Sequence, residues 1–108
     1  MTVEELAKKT GLATVTLPEP EREISGAYIG DLLSWVMGRA SSDNAWITIM
    51  SNLNVIAVAT LADVSCVIFA EGVMPDGELV SVAKEKGVNL LVSSEPAYET
   101  ALRISEYV

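Results

Sequence analysis

Residues that could contact a ligand collect in four short turns, each directly after a segment read as a strand. The turns are Ser25-Gly26-Ala27, Ser51-Asn52, Ala70-Glu71-Gly72 and Ser93-Ser94. Each precedes a predicted helix, whose first N–H groups have no partner within the helix and can bind an anion. The same residue types also cap helices that bind nothing. Both interpretations are open for each turn taken alone.

Ligands of open α/β sheets bind at the carboxyl ends of the strands. We therefore predict a small-molecule site formed by the hydroxyl, amide and glycine residues of three of these turns. Its predicted residues are Ser51, Asn52, Gly72, Ser93 and Ser94.

The turn Ala70-Glu71-Gly72 is the one most similar to a phosphate-binding loop, and two observations argue against that role. The Glu71 carboxylate repels an anion at a helix N-terminus. The pattern Gly-x-x-x-x-Gly-Lys-Ser/Thr of a phosphate-binding loop occurs nowhere in the chain. We predict a structural turn in which Gly72 supplies backbone freedom.

Residue types for catalysis are scarce. The chain has no histidine and one cysteine, Cys66, within the apolar run VSCVIFA. A Ser-His-Asp triad or a Cys–His pair is therefore excluded, and Cys66 is predicted to be a core residue. The acidic run Glu19, Glu21 and Glu23 is predicted to be solvated. We predict no catalytic residue, no metal site and no cofactor.

The charge balance argues against two classes of partner. Fifteen acidic and seven basic side chains give the 108 residues a formal charge of -8, which disfavours nucleic acid and anionic membranes. The longest apolar stretch, Val55 to Ala70, is interrupted by polar residues and falls short of the about 20 residues of a membrane span. We expect one domain, residues 1–108. We also expect it in the cytoplasm, because no signal-peptide pattern opens the chain.

The spacing of apolar residues predicts alternating helices and strands. Thr2 and Glu5 have the capping-box spacing of a first helix, and the apolar set Ile29, Leu32, Leu33, Val36 and Met37 has the spacing of one helical stripe. Strands are predicted in LATVTL, Ile24–Ala27, AWITIM, VSCVIFA and VNLLVSS; further helices are predicted in PDGELVSVAKEKG and from Pro96 onward. This order predicts a three-layer α/β fold, a mainly parallel sheet with helices on both faces.

The segment Leu53–Ala62 could be a strand by its valine and isoleucine content, or a helix that is apolar on nearly all sides. A helix is favoured, because parallel strands before and after it need a crossover. One side of such a helix can face the sheet, and the other needs a second cover. A partner subunit is the simplest cover. We predict a homodimer, with interface residues Trp35, Leu53, Ile56 and Ala57.

Three stretches resemble the DRTGG domain family: Gly26-x-Tyr28-x-x-Asp31-Leu32-Leu33, the strand WITI followed by Asn52-Leu53-Asn54, and the strand-turn-helix of Val67–Gly87. They are also similar to the N-terminal domain of HPr kinase/phosphorylase and, more distantly, to that of UDP-muramoyl-peptide ligases. The resemblance covers nearly the whole chain. The family commonly has a Thr-Gly-Gly-like turn where this chain has Ala70-Glu71-Gly72.

The resemblance implies an α/β domain similar to the HPr kinase N-terminal domain, without catalytic machinery of its own. Such domains accompany enzymes or nucleotide-sensing modules and often lie at subunit interfaces. It implies a non-catalytic regulatory or interaction module with a protein partner. The alternative is a sensor of a nucleotide-like small molecule bound at the strand ends.

Overall fold

Five short strands form one sheet in a computed structural model that describes all 108 residues. The strand order is β1-β5-β4-β3-β2, with β1 antiparallel to β5 and all other neighbours parallel. The strands are β1 (Ala13–Thr16), β2 (Ala27–Ile29), β3 (Ala45–Thr48), β4 (Cys66–Phe69) and β5 (Leu90–Val92). The helices are α1 (Val3–Thr10), α2 (Leu33–Arg39), α3 (Asn54–Ala62), α4 (Gly77–Lys86) and α5 (Ala97–Ile104).

Helices cover both faces of the sheet, which confirms the predicted three-layer α/β fold. From β2 to β5 the chain steps across the sheet in one direction, so the crossovers α2, α3 and α4 lie on one face. Helices α1 and α5 cover the other face. All four residues of β3 and of β4 are buried, as expected of strands covered on both sides. Trp46 of β3 is fully buried and donates its Nε1–H to the Gly30 carbonyl oxygen at 2.9 Å.

Some of the helix signals in the sequence are confirmed, whereas α3 and α5 have no side-chain cap. Thr2 and Glu5 form the predicted capping box at the start of α1. Asp76 caps α4, because its Oδ1 accepts the Leu79 N–H at 2.9 Å. The ambiguous segment is helical: α3 runs from Asn54 to Ala62 and provides the crossover between β3 and β4.

Two predictions around residues 24–37 are wrong. The second strand is Ala27–Ile29 instead of Ile24–Ala27, and Ile29 lies in that strand instead of in the following helix. The predicted helical stripe is also not buried: Leu32 and Met37 are exposed, and Val36 is the one buried residue of α2. The physical reason is that β2 is an edge strand. Helix α2 lies on one face of the sheet beside this edge, where few neighbouring residues can bury its side chains.

The segment of residues 17–26 crosses the amino ends of the strands from one sheet edge to the other, and we call it the strap. The amide of Asn89, at the start of β5, pairs with both Glu19 backbone groups: Oδ1 accepts the N–H at 2.9 Å, and Nδ2 donates to the carbonyl oxygen at 2.7 Å. The same Nδ2 donates to the Ser65 carbonyl oxygen at 2.9 Å. Further along the strap, Arg22 donates to Asp43 at 2.9 Å and to Asp63 at 2.8 Å.

The acidic side chains of the strap are solvated, as predicted, while its backbone is ordered. Glu19, Glu21 and Glu23 are exposed. The backbone N–H groups of α1 bond back to the strap, since Val3 N–H donates to the Arg22 carbonyl oxygen at 3.0 Å. The strap therefore ties the first helix to the amino edge of the sheet.

Candidate functional site

The chain leaves β4 and β5 toward opposite faces of the sheet. Helix α4 follows β4 on one face, whereas α5 follows β5 on the other. Adjacent parallel strands whose connections diverge in this way create a crevice at their carboxyl ends, the usual ligand position in α/β folds. In this chain the crevice lies between Ala70-Glu71-Gly72 and Ser93-Ser94.

An open cavity of about 210 Å³ lies at this crevice and contains three of the five predicted ligand residues, Gly72, Ser93 and Ser94. The start of β1 forms its other wall, because Ala13 pairs with Val92. The remaining lining residues are Gly11, Leu12, Ala13, Val92, Glu95 and Arg103.

Backbone hydrogen bonds close the crevice between the two loops. The Glu71 N–H donates to the Glu95 carbonyl oxygen at 2.8 Å, and the Gly72 N–H donates to the Ser93 carbonyl oxygen at 2.8 Å. Glu71 and Gly72 both have left-handed φ angles, 60° and 69°. The left-handed φ of Gly72 agrees with the backbone freedom predicted for it at this turn. The N–H groups of the turn are occupied, and the sequence did not reveal that Glu71 shares the left-handed conformation.

The one cation at the cavity is Arg103 of α5, and its charge is already balanced. Its Nη1 donates to the Thr10 carbonyl oxygen at 2.9 Å, and its Nη2 forms an ion pair with the Glu95 carboxylate. The Thr10 carbonyl belongs to the last turn of α1, where the helix dipole is negative. An incoming anion would therefore have to compete with Glu95 for the guanidinium.

The two serines at the cavity differ in what they do. The Ser93 hydroxyl is buried, lies 2.7 Å from the Thr100 hydroxyl and accepts the Glu95 N–H at 3.1 Å. These bonds fix the start of α5. Ser94 is exposed and its hydroxyl has no hydrogen-bond partner in the protein, so it is the freer of the two to contact a ligand.

The other predicted ligand residues, Ser51 and Asn52, lie one strand further along, after β3, and do not line this cavity. Asn52 Oδ1 accepts the Asn54 N–H at 2.9 Å, which is a local turn contact. The fourth turn, Ser25-Gly26-Ala27, was expected to follow a strand. It precedes β2 instead and so lies at the amino edge of the sheet.

Arg103 and Glu95 were not identified from the sequence. Arg103 is a basic residue in the last turn of a predicted helix, where a cation is expected whether or not a ligand binds. The signal that could have identified Arg103 is its position eight residues after Glu95. Their ion pair joins the loop before α5 to the last turn of α5.

Two observations concern the Cys66 thiol and the acidic side chains. Complete burial raises the pKa of the Cys66 thiol to about 12, so the thiolate is not formed at neutral pH. No group of three or more His, Cys, Asp or Glu residues is positioned to hold a metal ion. None of the five helices has the length and apolar character needed to cross a bilayer.

The predicted interface residues lie on two different surfaces. Leu53, Ile56 and Ala57 line a groove of about 330 Å³ between α3 and α4, and the groove is completed by Thr60, Leu61, Val82 and Lys86. Ile56 forms the floor of this groove and is 2% exposed. Trp35 lies on α2 and is 52% exposed. The Arg39 guanidinium stacks 3.8 Å above its ring.

The fold matches a solved regulatory region of an enzyme. It is similar to the structure of the CBS and DRTGG domains of the regulatory region of Clostridium perfringens pyrophosphatase, complexed with its activator diadenosine tetraphosphate. The TM-score is 0.71 at 14% identity, and the match covers 95% of this chain. This chain spans 45% of the length of that one. No curated protein matches the sequence.

The DRTGG domain matches residues 21–107, which include every strand from β2 to β5 and the helices between them. The match begins inside the strap and omits α1 and β1. The chain therefore belongs to the DRTGG domain family.

Proposed function

We propose that this DRTGG domain is a non-catalytic regulatory module that self-associates as a homodimer. The observation that carries the proposal is the concentration of exposed large apolar side chains in one part of the chain. Seven of the ten lie between residues 29 and 61, on β2, α2, α3 and the loops between them: Ile29, Leu32, Trp35, Met37, Ile49, Leu53 and Leu61.

A second copy of this chain is the occupant to which the proposal commits. The chain carries a formal charge of -8, so two copies repel unless they meet where charge is low. Helix α3 has no charged residue from Asn54 to Ala62, and β2 has none either. A regulatory role is supported by the similar fold in the regulatory region of the pyrophosphatase. A non-catalytic role is supported by the missing histidine and the neutral Cys66 thiol.

Sedimentation velocity of the full chain at micromolar concentration tests self-association. We expect a concentration-dependent mass that approaches twice the 11.5 kDa of one copy. A monomer across the whole micromolar range would refute the proposed function.

The predicted interface residues are tested by matched charge insertions on the two surfaces. Ala57→Glu places a carboxylate in the groove between α3 and α4, and Trp35→Glu places one on α2. Ser81→Glu, on the exposed side of α4, is the control. The surface whose variant alone becomes monomeric is the interface. Ile56 is omitted because replacing a buried side chain would damage the core.

A second function is favoured by the cavity at the crevice. We propose, as the alternative, that it senses a nucleotide-like small molecule through Ser94 and Arg103, since the pyrophosphatase region of similar fold binds a dinucleotide activator. Calorimetry with ATP and diadenosine tetraphosphate tests this. Arg103→Ala should abolish binding and the distant Lys84→Ala should not. No heat with either nucleotide would refute it.

The remaining sequence-based expectations stay predictions. They are the similarity to the N-terminal domain of HPr kinase/phosphorylase, the single domain of residues 1–108 and the cytoplasmic location. A structure of the assembled protein with its partner would test the first two.

A further inference from the structure

The two edges of the sheet are protected against strand pairing to different degrees. At one edge, β1 has an irregular register between Thr14 and Thr16, and such a bulge disfavours a further strand. At the other edge, β2 pairs with β3 without any shift. The segment Gly26–Gly30 contains no proline, no lysine and no other charged residue. Its short length is the one protective feature it has.

The outer edge of β2 presents backbone groups that have no partner. The Gly26 carbonyl oxygen accepts the Ala45 N–H at 3.0 Å, and the Gly30 N–H donates to the Ile47 carbonyl oxygen at 3.2 Å. Backbone groups alternate along a strand, so those of Tyr28 also point to β3, and those of Ala27 and Ile29 point away from it. Ala27 and Ile29 are both exposed.

We infer that β2 pairs antiparallel with β2 of a second copy, so that the two sheets join into one sheet of ten strands. This inference rests on the proposed function, because it names the contact surface of the proposed homodimer. In the register centred on Tyr28, Ala27 of each copy faces Ile29 of the other. Each of these two pairs exchanges two hydrogen bonds, which uses all four outward N–H groups and all four outward carbonyl groups.

The charges around β2 are compatible with this two-fold pairing. The nearest acidic residue after the strand is Asp31, which in this register approaches Ser25 of the other copy instead of the other Asp31. The Asp31 carboxylate is also occupied within its own copy, since Oδ1 accepts the Thr48 hydroxyl at 2.8 Å and the Ile49 N–H at 2.9 Å. The nearest acidic residue before the strand is Glu23, and its carboxylate is paired with the N-terminal amine of its own copy at 2.9 Å. In this register no carboxylate therefore lies directly opposite another.

The surroundings of β2 add apolar contact to the four hydrogen bonds. A two-fold axis between antiparallel strands is perpendicular to the sheet, so the two α2 helices lie on the same face and flank the seam. Trp35 of α2 and Leu32, directly before this helix, are exposed at 52% and 60%. On the other face, Ile29 is 50% exposed and packs beside Ala27 of the second copy in this register.

A cysteine crosslink tests the pairing and its register. Tyr28 faces Tyr28 as a non-hydrogen-bonded pair, whose Cα atoms are about 4.5 Å apart, within the range of a disulfide. We expect Tyr28→Cys to give a disulfide-linked dimer under mild oxidation. Ala27→Cys is the matched control, because in this register the two substituted positions are displaced along the strands. The native Cys66 is fully buried and does not interfere.

Hydrogen exchange of the wild-type chain gives a second test that does not depend on a variant. The Ala27 and Ile29 N–H groups should exchange at least about tenfold more slowly in the dimer than in dilute monomer, and the Tyr28 N–H should change less. A dimer that forms without this protection, and without the Tyr28→Cys crosslink, would overturn the β2 inference and leave the homodimer intact. A protein that remains monomeric would overturn both.

Discussion

Replacing Asn89 by alanine tests whether the strap is fastened as the structure indicates. Asn89 is fully buried, and its amide makes three hydrogen bonds, two to Glu19 and one to the Ser65 carbonyl oxygen. Each bond contributes about 0.5–1.5 kcal/mol net. The exposed Glu19 backbone can regain water, whereas the buried Ser65 carbonyl cannot. We therefore expect Asn89→Ala to lower the free energy of unfolding by about 2–3 kcal/mol.

The assay is urea unfolding followed by tryptophan fluorescence, to which the buried Trp46 and the half-exposed Trp35 both contribute, with Asn54→Ala as the control. Asn54 is exposed on α3 and its side chain makes no hydrogen bond, so its replacement should change stability by less than about 0.5 kcal/mol. A charge variant sharpens the test. Asn89→Asp keeps the acceptor for the Glu19 N–H but points a carboxylate at two carbonyl oxygens. It should therefore be worse than alanine at pH 7 and recover in acid, where the carboxyl can donate.

The result that would refute this reasoning is an Asn89→Ala protein as stable as the control. That outcome would mean that the Asn89 hydrogen bonds to the strap add nothing to the stability of the folded state and merely replace bonds to water.

Three further predictions follow from charge and backbone geometry. Burial raises the pKa of the Cys66 thiol from 9.0 to about 12, so this thiol ionises only in the unfolded state between these values. The Cys66 contribution to stability should therefore be constant below pH 8 and should fall by about 1.4 kcal/mol per pH unit between pH 9 and 12. In urea titrations over this range, Cys66→Ala should remove this part of the pH dependence. The Ser42 hydroxyl and then Arg22 lower the pKa of Asp63. The stability that the Asp63 carboxylate contributes is therefore present above its unfolded pKa and is lost as the pH falls. Asp63→Asn should lower the free energy of unfolding by under about 1 kcal/mol at pH 7, because the Arg22–Asp63 ion pair is largely exposed, and should change nothing near pH 2. Glu71→Gly should raise the melting temperature, since glycine adopts the left-handed φ of 60° without the cost of about 1 kcal/mol that a side chain incurs; an unchanged or lower melting temperature would contradict this.

The sequence predicted the elements whose signals are local. The Thr2–Glu5 capping box depends on residues three positions apart and is confirmed. Helix α4 lies within the predicted segment PDGELVSVAKEKG. The helical state of α3 followed from a topological requirement, the crossover between two parallel strands. The position of β2 could not be predicted in this way, because the strand has three residues and gains its order from pairing with β3.

The candidate site was predicted in part, from the topology of the strands. Gly72, Ser93 and Ser94 meet because β4 and β5 are neighbours, which the alternation of strands and helices suggested. The hydrogen bonds between the two loops were not predictable, since Glu71 and Glu95 are far apart in the chain and neither side chain takes part. The contact of Asn89 with Glu19 spans 70 positions and left no pattern in the sequence.

The hydrogen bonds across the crevice between β4 and β5 matter for a ligand that reaches past the open cavity to the loop amides. A molecule that used the Glu71 and Gly72 amides would first have to part them from the carbonyl oxygens of the next loop. Two bonds at about 1 kcal/mol each would weaken binding by roughly thirtyfold. The same separation would shift the start of α5. Ligand binding at the carboxyl ends of β4 and β5 would therefore displace the helix that covers the opposite face of the sheet from α4.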